Sequence, residues 1–64
     1  MKYHLTATIV FSEAGQSPSV DHINTKVESF DEAYMAVYNR VATLQKMGCG
    51  GIAVTSYHAV MLCD

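Results

Sequence analysis

Three histidines and two cysteines are the residues of this chain best suited to chemistry. His4, His22 and His58 could ligate a metal or carry a proton, and Cys49 and Cys63 could ligate, cross-link or attack as thiolates. Their spacing argues against each role. No two of them repeat the C-x-x-C or H-x-x-x-H intervals that place two ligands on one side of a metal. The histidines fall in three separate strand-like segments. Residues 52–62 read as one strand, about 33 Å long at roughly 3.3 Å per residue. That strand would hold Cys49 and Cys63 at opposite ends, whereas a disulfide needs Cα atoms within about 7 Å. Neither an internal bridge nor a shared metal site is expected.

Cys49 lies in the run Met47-Gly48-Cys49-Gly50-Gly51. The run follows the carbonyl end of a helix, where the negative potential disfavours a thiolate. It precedes a strand, so it is no phosphate loop, which would open a helix. Ser56 and His58 share a strand face at i and i+2, but a hydrolytic pair needs hydroxyl and imidazole in contact and a third group orienting the base. Asp21 and His22 are consecutive and point to opposite faces. The expectation is no enzyme, no cofactor and no metal.

The elements that would position these residues are legible from periodicity. Residues 2–11 alternate, with Tyr3, Leu5, Ala7, Ile9 and Phe11 on one side and Lys2, His4, Thr6 and Thr8 on the other. Residues 12–19 read as a loop punctuated by Gly15 and Pro18. Residues 20–28 form a weaker strand, Ile23, Thr25 and Val27 inward, with His22, Asn24, Lys26 and Glu28 giving it the polar character of a protected edge. Residues 29–48 carry the punctuation of one helix: the capping box Ser29-Phe30-Asp31-Glu32, and Gly48 where a left-handed residue ends it. Phe30, Tyr34, Val37, Val41 and Leu44, with Ala33 beside them, make the stripe expected to face the sheet. On the last strand, Ile52, Val54, Val60 and Leu62 would share a face with Ser56 and His58. Ala53, Tyr57, Ala59 and Met61 would share the other with Thr55.

The chain is therefore expected to be a single α+β domain over residues 1–64, β-β-α-β, with a three-stranded antiparallel sheet in the order 2-1-3 and one helix packed on one face. The alternative order 1-2-3 would set a parallel pair against a charged strand. In the order 2-1-3 the last strand is an edge with no lysine, proline or inward charge to block pairing. A chain of 64 residues buries only about 60% of its unfolded surface and gains from a second subunit. A homodimer joined edge to edge is expected, with Tyr57, Ala59 and Met61 on the strand and Met35 and Tyr38 on the helix as candidate interface residues.

Four basic residues against six acidic give a net charge of −2. Lys2, Lys26, Arg40 and Lys46 are scattered and too few for phosphate-driven binding of nucleic acid. No apolar run approaches the roughly 20 residues of a membrane span, and the opening segment has no secretory h-region. Unbridged cysteines fit a reducing compartment, so the expected location is the cytoplasm.

Met1-Lys2-Tyr3-His4-Leu5-Thr6-Ala7-Thr8-Ile9, then Gly15 and Ser17-Pro18, resembles the start of certain short proteins encoded by phages and prophages. The resemblance covers about a quarter of the chain and carries no activity or site. It implies an origin in a mobile element, and for such a protein a role as an inhibitor of a host enzyme or defence protein. The leading expectation is a small protein-binding module acting by contact. The alternative is an oligomeric protein that sequesters a nucleotide or metabolite in a pocket lined by Tyr3, Tyr57 and His58.

Overall fold

The computed structural model describes residues 2–13 and 15–62. Four elements follow one another: β1 (Tyr3–Ser12), β2 (Ser19–Val27), α1 (Phe30–Lys46) and β3 (Gly50–Met61). The strands form one antiparallel sheet in the order β2-β1-β3, so the α+β class and the 2-1-3 order expected from the sequence are observed. Cys63 lies outside the described residues, and the expectation about its pairing with it.

Alternation along β1 puts Leu5, Ala7 and Ile9 on one face, all buried. Across the ladder, Leu5 stands opposite Thr25 and Ala59, and Ala7 opposite Ile23 and Tyr57. Directly opposed residues share a face, so this side of the sheet carries the core with Ala33, Val37 and Leu44 of α1. The other side has no helix over it.

Local chemistry fixes both ends of α1. The Ser29 hydroxyl accepts the Glu32 N–H at 3.1 Å, which satisfies one of the donors a helix start leaves free. At the far end Gly48 takes φ +85°. Its N–H donates to the Gln45 carbonyl at 3.1 Å, and the Cys49 N–H donates to that of Leu44 at 3.1 Å. These are the two bonds of a Schellman ending. The apolar contact usual in that motif lies between the residue past the glycine and one in the last turn, and Cys49 and Leu44 are both buried in the core.

The helix is rotated from its expected setting. Ala33, Val37 and Leu44 are its buried residues, whereas Tyr34 is 62% exposed and Phe30 56%. The smallest side chain decides the rotation: fully buried Ala33 lets the helix backbone approach the sheet. Tyr34, about 100° further round, is carried off the core to the β3 side. Phe30 rests against Tyr3, its ring lying 4.3 Å from that of Tyr3, centroid to centroid. On the opposite flank Arg40 pairs with Asp21 of β2.

A second correction concerns β3. Thr8 stands opposite Ser56, yet Ile9 stands opposite Val54, so Thr55 is an extra residue in the ladder. Such a bulge shifts the alternation by one. Ile52 and Val54 therefore join Tyr57, Ala59 and Met61 on the helix side, and Ala53 joins Ser56, His58 and Val60 on the helix-free side. A second register shift falls between Val10 and Ser12, beside Gly51, whose φ is +59°.

Candidate functional site

Rotation of α1 and the bulge in β3 together create the most distinctive surface of the molecule. The core stripe packs on the sheet, and the apolar flank of α1 beside it overhangs the outer part of β3. The gap between them is a groove of about 420 Å³ lined by Tyr34, Val37, Tyr38, Val41, Val54 and Tyr57. Tyr34 and Tyr38, one turn apart, stand with rings roughly parallel and centroids 6.4 Å apart. None of the lining residues is charged.

The floor of the groove is also the rim of the sheet. Leu62 donates its N–H to the Lys2 carbonyl at 2.9 Å, and these two residues continue the pairing in which Tyr3 faces Met61. Antiparallel ladders alternate between residues that turn both backbone groups inward and residues that turn both outward. Counting back from Leu62, Val60 and His58 turn theirs toward β1. Met61, Ala59 and Tyr57 turn theirs away from the sheet, where no strand of the described residues lies. Their side chains point to the helix side. A bare hydrogen-bonding edge and an apolar groove thus run side by side.

Of the expected interface residues, Tyr38 and Tyr57 line the groove itself. Ala59 and Met61 continue its floor along β3 toward Tyr3. Met35 is exposed on α1 beyond Tyr38, further from the sheet. Tyr34, Val37, Val41 and Val54 complete the lining. The first three belong to the stripe expected from the sequence to face the core, and periodicity alone puts the fourth on the opposite face. The sequence held a signal for Val54: positions 52, 54, 57, 59 and 61 form one apolar row once a single residue is inserted between 54 and 57.

The histidines are on the helix-free side. His4 Nε2 lies 2.5 Å from the Asn24 side-chain oxygen, and the Thr8 hydroxyl lies 3.3 Å from His22 Nδ1. His58 stands opposite Thr6, diagonal to His4. Among the described residues, no three His, Cys, Asp or Glu side chains gather closely enough to hold a metal ion. Ser56 and His58 occupy successive positions of one row there, and the register places no acidic residue on that face to orient the imidazole. Tyr57 and His58 point to opposite faces and Tyr3 packs on Phe30, so a single chain does not bring Tyr3, Tyr57 and His58 together. Cys49 is buried behind the helix ending. No helix among the described residues is long and apolar enough to cross a membrane.

Comparison with family models, with curated proteins and with solved structures finds no match to this chain. The likeness of its opening segment to phage-encoded proteins gains no support from them.

Proposed function

We propose that this protein is a non-enzymatic binding module that engages another polypeptide along the outer side of β3. The observation that carries the reading is the coincidence of the apolar groove with the outward backbone groups of Tyr57, Ala59 and Met61. Strand addition needs both: backbone bonds supply affinity, and pockets for alternate side chains supply selectivity. Occupying a partner's surface in this way suits an inhibitor, which needs no chemistry of its own.

Selection from a displayed library of random strand-like peptides tests this. The wild-type chain should enrich alternating β-branched and aromatic sequences, and a Val54→Lys variant should lose them, because lysine puts an unpaired charge in the groove floor. Failure of the folded wild-type chain to enrich any sequence family would overturn the reading.

The groove volume favours one second reading, since small-molecule sites commonly span about 300–1,000 Å³. A ligand there would be apolar: a nucleotide phosphate would meet no cation in the lining. A thermal-shift panel separates the readings, with a rise of several degrees for a hydrophobic small molecule favouring this one.

A further inference from the structure

We infer that the polypeptide covering the groove is a second copy of this chain, a conclusion that rests on the binding-module reading and names its partner. Two copies of β3 pair antiparallel through the backbone groups of Tyr57, Ala59 and Met61. The product is a six-stranded sheet with a two-fold axis normal to its plane. That axis places both helices on the same face and runs them antiparallel, with each Tyr34–Tyr38 flank leaning over the junction.

The dimensions fit. At about 4.8 Å between strands, the two β1 strands of such a sheet lie about 14 Å apart. Packed helices sit about 8–10 Å axis to axis. Each helix already leans over its own β3, so the space left between helices is about the thickness of the tyrosine flanks that border it. A foreign strand would fill the edge and leave the rings exposed. A second copy covers both at once.

The chemistry also fits. An isologous interface must complement itself, and a lining of tyrosine and valine without charge does so with no repulsion. Antiparallel helices set the amino end of one near the carboxyl end of the other, which their dipoles favour.

Surface area points the same way. The chain exposes 4476 Å², against about 4,000 Å² for a folded monomer of 7.0 kDa. At about 200 Å² per tyrosine side chain, Tyr34, Tyr38 and Tyr57 alone leave about 300 Å² uncovered. Val54, Met61 and the strand edge take this toward the roughly 800 Å² that each partner of a stable pair buries.

Sedimentation velocity between about 1 and 200 µM tests the inference. The wild-type chain should double its mass within that range. Ala59→Pro removes an outward N–H and places a ring on the free edge, so it should remain a monomer while the β1–β3 ladder and the circular-dichroism spectrum persist. Should the proline variant unfold, Tyr34→Glu decides: its side chain stands on the exposed helix flank, and dissociation should become at least about tenfold easier. Dimerisation of wild type lost in the folded variant supports the inference. A wild-type monomer throughout, or a dimer indifferent to Tyr34→Glu, overturns it. If that monomer still enriches strand peptides, only the identity of the partner is wrong; if it enriches none, the binding reading falls too.

Discussion

Three glycines at the junction of α1 and β3 should respond to alanine with different signs. Gly48 and Gly51 hold φ of +85° and +59°, whereas Gly50 has no positive φ. Space is not the issue. A Cβ at Gly48 or Gly50 would meet nothing within 4 Å, and one at Gly51 would touch the Ser12 hydroxyl at an ordinary 3.4 Å. The difference is conformational. An L-residue in the left-handed region costs about 1–2 kcal/mol, and alanine returns roughly 0.4–1 kcal/mol by stiffening the unfolded chain. Gly48→Ala and Gly51→Ala should each destabilise by about 1 kcal/mol, and Gly50→Ala should be neutral or stabilise by about 0.5 kcal/mol. Melting temperatures for Gly48→Ala and Gly50→Ala should then differ by about 10 °C in a domain this small. Urea titration at fixed protein concentration measures the free energies. In a Cys63→Ala background, Gly48→Ala should also speed alkylation of Cys49, because the strained ending is the one that buries that thiol. Equal losses at Gly48 and Gly50 would refute the reasoning, since they would mean that the turn is governed by crowding and not by backbone handedness.

Other substitutions probe the core, the cap and the surface. Ile9 is fully buried on the central strand, and Ile9→Ala should cost about 2–5 kcal/mol. The total for 64 residues is only about 3–10 kcal/mol, so the variant should be partly unfolded at 37 °C by circular dichroism. Ser29→Ala should cost about 1 kcal/mol by urea titration and Ser29→Asp almost nothing, since aspartate also accepts the Glu32 N–H. Arg40 and Asp21 keep 44% and 26% of their side-chain surfaces exposed. Arg40→Gln should therefore change stability by less than about 1 kcal/mol, with the difference vanishing in high salt.

The legible parts of this fold were those set by neighbours in sequence. Ser29 and Gly48 mark the helix because capping needs only a few adjacent residues. The alternation of Leu5, Ala7 and Ile9 marks the central strand because side-chain direction there has a period of two. The polar residues His22, Asn24 and Lys26 marked β2 as an edge, and the strand order followed. Rotation of α1 was not legible in this way. Phe30, Ala33, Tyr34, Val37, Val41 and Leu44 span a wide apolar arc, and only packing against the sheet shows that Ala33 lies at its centre. The bulge at Thr55 was hidden for a related reason. A β-branched residue suits regular strand, so nothing local announces an inserted position. Both misses fall on the groove, whose wall is the rotated flank and whose floor is the shifted row. Tyr38 and Tyr57 could be named as surplus apolar residues, but their meeting depended on two tertiary adjustments.

The two edges of the sheet differ in kind, and the difference limits what the proposed pair can become. Along β2 the helix-side row includes Asp21, held by Arg40, and the helix-free row includes His22, Asn24 and Lys26, all exposed. A strand approaching that edge would have to strip water from these groups, and its own apolar residues would meet no groove. Along β3 the outward groups of Tyr57, Ala59 and Met61 lie beside apolar side chains, so desolvation there is favourable. The helix-free face carries Thr6, Thr8, Asn24 and Ser56 across its centre, and these remain compatible with water without a second helical layer. Among the described residues, the apolar groove and an unpaired backbone edge coincide only along the helix side of β3. A chain with a single adhesive edge closes on one partner through a two-fold axis; a chain with two would add copies without limit. In the proposed pair, the same feature that makes β3 receptive would therefore end assembly at six strands.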